Sequence, residues 1–105
     1  MTDLEINGAC AEAIRIQTVV HPIRGKIMRH WFWVGNIEQM YDPLHDDAQA
    51  MVLVKKFQLF ISHWRGKWTV STGIGGHDKT GAQYSDLNRA ICECVAKLEK
   101  AKGNQ

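Results

Sequence analysis

Residues Gly73-Ile74-Gly75-Gly76-His77-Asp78-Lys79-Thr80 nearly reproduce the phosphate-binding spacing Gly-x4-Gly-Lys-Ser/Thr, with Asp78 where the second glycine belongs. That position needs bare backbone against a phosphate, and a carboxylate there repels it. The segment does not lead directly into a helix, and 105 residues of this pattern offer no parallel sheet to carry such a loop. Nucleotide hydrolysis is not expected from it. A connector is, with closure over a small nucleotide signal as the weakest of the binding alternatives. His21, His30, His45, His63 and His77 are scattered, with no i, i+4 pair and no Cys-x-x-Cys beside them. Cys92 and Cys94 stand about 200° apart on a helix and cannot share a ligand. No serine or cysteine sits on a strained turn near a histidine and an acid. Neither a metal, a cofactor nor catalytic turnover is expected.

Charged and aromatic residues suggest binding chemistry instead. Arg24, Lys26 and Arg29 lie between His21 and Val34 without an acid, and Lys55, Lys56, Arg65 and Lys67 form a second acid-free block. Trp31, Trp33 and Trp64 are interleaved with them. Guanidinium and ammonium groups hold phosphate, indoles stack on unpaired bases, and Trp with Arg also anchors protein–protein interfaces. The expected partner-binding surface is Arg24, Lys26, Arg29, Trp64, Arg65 and Lys67. It becomes one face if the first strand pairs with the edge of the hairpin described below. The alternative surface is the acidic run Glu38, Asp42, Asp46 and Asp47, which would occupy a groove that normally holds nucleic acid.

The elements that must position these groups fit one small domain. A chain of 105 residues with 45% hydrophobic and 23% charged residues supports one core, and a net charge of +2 does not by itself mark a nucleic-acid binder. Three cysteines without close pairing read as free thiols. No apolar run reaches the ~20 residues of a bilayer span. Met1-Thr2-Asp3-Leu4-Glu5 lacks the character of a signal peptide, so a cytoplasmic protein with no membrane partner is expected.

Thr2-Asp3-Leu4-Glu5 has the form of a capping box, opening a first helix over about Asp3 to Ile16. His21-Pro22 and Arg24-Gly25 break the chain, and Lys26 to Val34 reads as a strand. Ile27, Arg29, Trp31 and Trp33 face one way and Met28, His30, Phe32 and Val34 the other, with large apolar groups on both sides. Gly35-Asn36 opens a loop through Tyr41-Asp42-Pro43. His45-Asp46-Asp47 starts a second helix, with Ala48, Met51 and Val52 expected inward and Lys55-Lys56 in the last turn.

Phe57 to Trp64 and Lys67 to Thr72 form a hairpin about Arg65-Gly66, with Trp64 opposite Lys67 and Ile61 opposite Val70. Leu59, Ile61, Trp68 and Val70 share the expected core face; Phe60, Ser62, Trp64, Lys67, Thr69 and Ser71 share the other. Ser85 caps a last helix over Asp86 to about Lys100, with a stripe of Leu87, Ile91, Cys94, Val95 and Leu98 and with Cys92 facing away. A flexible tail is expected from about residue 101. The expected class is α+β: three helices on a small antiparallel sheet of two to three strands, ordered helix, strand, helix, hairpin, helix, in a single domain over 1–105.

Tyr41-Asp42-Pro43-Leu44-His45-Asp46-Asp47-Ala48-Gln49-Ala50-Met51, the Gly-Lys-Trp turn of the hairpin, and Ser85-Asp86-Leu87-Asn88-Arg89-Ala90-Ile91-Cys92 together resemble the phage ABA sandwich family. The resemblance covers the first helix and Tyr41 to Leu98; residues 17–40 do not fit it. It implies a fold and a phage or prophage origin, and carries over no catalytic residues. With that origin, the expected function is inhibition of a host defence complex, a host protein or ribonucleoprotein of the CRISPR-effector kind, by surface complementarity. The alternative is a nucleic-acid-binding module using the basic and aromatic residues directly. The sequence leaves the oligomeric state open.

Overall fold

A computed structural model describes residues 2–23, 27–72 and 84–103. The elements run α1 (Asp3–Ala13), β1 (Val19–Ile23), β2 (Ile27–Val34), β3 (Ile37–Tyr41), α2 (Asp47–Phe57), β4 (Leu59–Trp64), β5 (Lys67–Thr72) and α3 (Leu87–Gly103). They form three helices and two separate antiparallel sheets, β1-β2-β3 and β4-β5, an α+β fold. α3 is the hub, packing against α1, α2 and β5; α1 in turn meets β2, and α2 meets β4.

The capping box forms as expected. The Thr2 hydroxyl accepts from Glu5 N at 3.1 Å and the Glu5 carboxylate accepts from Thr2 N at 3.0 Å. The helix stops at Ala13, short of the expected Ile16, because Arg15 turns left-handed (φ 62°). Arg15 N then donates to Glu12 O and Ile16 N to Ala11 O, the paired bonds that close a helix C-terminus. That role usually falls to glycine, so the stop carried no glycine signal.

Residues 17–41 depart most from expectation. β2 is the central strand, with β1 and β3 on its two edges. Pro22 does not break the chain; it sits on edge strand β1, where a missing N–H is tolerated. The expected loop after Gly35 is a tight hairpin, in which Val34 faces Ile37 and only the first of the two turn residues, Gly35, has positive φ (61°). Because both edges of β2 are occupied within its own sheet, it does not pair with the β4–β5 hairpin.

That hairpin has the expected register, from Leu59 opposite Thr72 to Trp64 opposite Lys67. Arg65 and Gly66 both take positive φ, as a type I′ turn requires. Of its expected core face Leu59 and Val70 are buried and Trp68 packs partly buried against the core, whereas Ile61, expected inside, is 37% exposed. Tyr84 adds a bridge to Trp68.

The inward stripe of α2 is Ala50 and Leu53, joined by partly buried Val54 and Phe57; Met51, Val52 and Ala48 lie exposed. The true stripe keeps the i, i+3, i+4, i+7 spacing, but starts two residues later than the first apolar residue of the helix. α3 is capped by Asp86, not Ser85: Asp86 Oδ1 accepts from Asn88 N. The helix runs on through Gly103, so the tail expected from about 101 is helical that far. Cys92 is fully buried, because α3 has neighbours on several sides and buries Ala90, Ile91, Cys92, Cys94, Val95 and Ala96 together.

α1 approaches the three-stranded sheet at Gly8. His30 Nε2–H donates to Leu4 O at 2.9 Å, and the Thr18 hydroxyl lies 2.9 Å from His30 Nδ1, so both ring nitrogens are engaged. A Cβ on Gly8 would fall 2.9 Å from His30 Nε2. Alanine is normally better than glycine in a helix by about 1 kcal/mol. Here the order should reverse: Gly8→Ala is expected to lower the urea midpoint, whereas in a His30→Ala background the same change should raise it. A stabilising Gly8→Ala with His30 in place would show that the ring does not fix the helix.

Candidate functional site

Among the described residues, no group of three or more His, Cys, Asp or Glu side chains could hold a metal ion. Histidine and carboxylate do meet at Asp42. Its Oδ1 accepts from Asn7 Nδ2 at 2.8 Å, its Oδ2 accepts from His45 Nδ1 at 2.9 Å, and Arg29 Nε lies 3.5 Å from Oδ2. The Asp42 backbone N–H donates to Gln49 Oε1 at 2.7 Å, and Gln49 Nε2 donates to Met40 O. The carboxylate side chain is 6% exposed. Asp42 therefore ties together α1, β2 and the corner after β3 through its carboxylate, and α2 through its backbone N–H.

Of the alternative acidic surface only Asp42 is buried; Asp46 and Asp47 are exposed, each with a hydrogen bond inside the protein. Glu38 accepts from His21 Nε2 at 3.2 Å, Asp46 caps α2 through Gln49 N, and Asp47 Oδ1 accepts from Asn88 Nδ2 at 2.8 Å. The groove of about 360 Å³ between the starts of α2 and α3 is lined by Asp47, Ala50, Met51, Asp86, Leu87, Asn88 and Ile91. Both of its carboxylates are engaged by Asn88.

The expected basic–aromatic surface divides in the same way. Arg24 and Lys26 lie outside the described residues, as does the glycine-rich segment 73–81. Arg29 is on the outward face of β2, but its guanidinium is turned to Asp42 and Met28 O. Trp64, Arg65 and Lys67 stand together at the tip of the other sheet. The two basic clusters are not joined by strand pairing, since β2 and the hairpin belong to different sheets.

Two surfaces result. On the three-stranded sheet, register puts Val19, Trp31 and Met40 in one cross-strand row, with Trp33 beside Glu38 and His21 beside Arg29 on the same face. The His21 ring stacks on Trp31 at 4.7 Å and 4°, and Trp31 Nε1–H donates to His21 O. Val19, Ile27, Trp33 and Met40 are left exposed, Trp33 at 62%. Among the described residues of this face, Arg29 pairs with Asp42 and His21 lies within hydrogen-bond distance of Glu38. The sequence identified Trp33 as a large group without showing which side was out, because both sides of β2 carry aromatic residues. The inward side is Phe32, edge-on to Tyr41, with His30 against α1.

The hairpin presents the second surface. Phe60 (63% exposed), Trp64 (70%) and Lys67 project from its outward face, and the Arg65 guanidinium lies 5.6 Å from the Trp64 ring centroid, within cation–π range. Phe60 and Ile61 were not among the expected binding residues, although their strand alternation had already placed Phe60 beside Trp64.

Comparison with protein-family models, with curated proteins and with solved structures finds no match to this chain.

Two consequences can be measured. Asp42→Ala removes the acceptor of Asn7, His45 and Arg29 at once, and should cost about 2–4 kcal/mol of stability by denaturant titration. Glu38→Ala, on the exposed face, should cost under about 1 kcal/mol; equal losses would show that Asp42 is not the anchor. At the start of α1, the hydrogen bond from Arg89 holds the Asp3 carboxyl below its ordinary value of 3.8. A depressed folded-state value means that the contribution is complete above the unfolded-state value and disappears as pH falls through the folded one. Asp3→Asn should therefore be less stable than the parent at neutral pH, with the gap closing in acid below 3.8. A gap independent of pH would exclude the ion pair as its source.

Proposed function

We propose that this chain is a small non-catalytic binding protein of phage or prophage origin that acts in the host cytoplasm, inhibiting a host defence complex such as a CRISPR effector by surface complementarity. The observation that carries the binding reading is the outward face of β1-β2-β3. It offers Val19, Ile27, Trp33 and Met40 to solvent on a twisted three-stranded surface of roughly 300 Å², a patch size often functional on a monomer. With Arg29 and Glu38 already engaged within the protein, the described residues of the face present apolar surface and one large aromatic anchor. Such a surface suits a protein partner better than a polyanion, and tryptophan is the residue type most enriched where binding energy concentrates. The defence-complex assignment is supported by the resemblance of Tyr41 to Leu98 to small phage proteins.

The test is capture from nuclease-treated host lysate on the immobilised protein, followed by the activity of the captured complex on its own target. Trp33→Ala should reduce capture roughly tenfold or more, and excess unmodified protein should suppress the activity of the complex. Undiminished capture by Trp33→Ala and Val19→Asp, with both variants folded, would remove this face from the interaction. Full activity of the captured complex in the presence of excess protein would exclude inhibition.

A further inference from the structure

We propose that the outward face of the β4–β5 hairpin is a binding site for single-stranded nucleic acid, separate from the apolar face of the three-stranded sheet. The first ground is electrostatic. Residues 48–72, which include α2 beyond its first residue and the whole hairpin, contain no Asp or Glu but carry Lys55, Lys56, Arg65 and Lys67. Among the described residues neither Arg65 nor Lys67 has a carboxylate partner. On the sheet face, by contrast, Arg29 is paired with Asp42.

The second ground is the arrangement of side chains. Phe60 and Trp64 are on the same side of β4, about 13 Å apart along the strand. They are the two most exposed large aromatic or aliphatic side chains of the hairpin. Ser62, Thr69 and Ser71 fill the same face between and opposite them, offering hydroxyl donors that bulky apolar residues would not. Lys67 is directly opposite Trp64, and Arg65 is over the Trp64 ring. Two stacking platforms separated by hydroxyls, with cations at one end, match the chemistry of an unpaired strand: bases on aromatic faces, phosphates on the hydroxyl and cationic groups. A duplex hides its base faces and would leave both rings without a stacking partner.

A protein partner would also tolerate exposed aromatics, but would gain less from an acid-free strip bearing three hydroxyls and unpaired cations. Phe60, Ser62, Trp64 and Lys67 of this face are exposed, so a strand can lie along it.

The experiment uses the full chain and fluorescein-labelled oligo-dT, oligo-U and a mixed-sequence duplex, read by anisotropy at increasing salt. Single strands should bind more tightly than the duplex; a preference between oligo-dT and oligo-U identifies whether the site takes DNA or RNA, and binding of either supports it. Phe60→Ala and Trp64→Ala should each weaken binding roughly five- to hundredfold. Lys67→Ala should reduce the steepness of the log–log salt dependence by about 0.7. Trp33→Ala, on the other sheet, should leave oligonucleotide binding unchanged while impairing the protein capture described above, so the two readings fail independently. Both aromatic variants remove exposed side chains, and unchanged circular dichroism and melting verify their fold. No binding at low salt, binding indifferent to salt, or equal losses from Trp33→Ala and Trp64→Ala would overturn the proposal. So would host-protein capture lost in Trp64→Ala without any oligonucleotide binding.

Discussion

The buried carboxylate of Asp42 constrains most of the structure. A charge removed from water is tolerated only if its lone pairs are filled, and here Asn7, His45 and Arg29 fill them from three different parts of the chain. Satisfying Asp42 fixes the distance of α1 from the three-stranded sheet, the direction in which the chain leaves β3, and the start of α2, where Gln49 bonds both Asp42 N and Met40 O. His30 then sets how closely α1 can approach, with Gly8 giving the room. The polar contacts hold these elements in register, while the apolar contacts of α3 supply the cohesion.

α3 is suited to that position because its sides carry small or compact residues. Cys92, Cys94, Ala90 and Ala96 let neighbours approach, and Ile91 and Val95 fill the space between them. The Cys10 thiol donates to Cys92 O at 3.4 Å, and hydrogen bonding with Cys10 together with burial pushes the Cys92 thiol well above its ordinary range. A neutral, enclosed thiol behaves as a small hydrophobe, which is how the core uses it. Tyr41 is buried alongside, its phenol pushed up by burial.

Cohesion concentrated around α3 leaves both sheets with an uncovered side. The three-stranded sheet packs its inward face on α1, and the hairpin packs Leu59, Val70 and Trp68 on the core. Among the described residues their outer faces differ in kind: one is apolar with Arg29 paired to Asp42, the other aromatic with Arg65 and Lys67 lacking a carboxylate partner. This difference separates a protein-binding reading from a nucleic-acid-binding one, and assigns each to its own surface. Arg29 belongs to the scaffold of the first face, so replacing it would test folding before binding.

Features decided by neighbouring residues were legible in the sequence: the capping box at Thr2 and Glu5, the hairpin register about Arg65-Gly66, the cap of α2 at Asp46, and the stripe of α3. Each depends on interactions within a few positions along the chain, where residue type and spacing settle the geometry. Gly35-Asn36 was also a local signal, and the two-residue turn it makes accounts for β3. Three other matters depended on the tertiary structure: which side of β2 faces out, whether β2 joins the hairpin, and whether Asp42 is a surface charge or a buried one with Arg29 turned to it. β2 has large apolar groups on both sides, so only α1 against His30 and Phe32 selects the inner one. Asp42 and Arg29 are thirteen residues apart, and the burial of Asp42 is compensated by Asn7 and His45 meeting it in space. Charge along a sequence records what is available to pair; the fold decides what is left over for a partner.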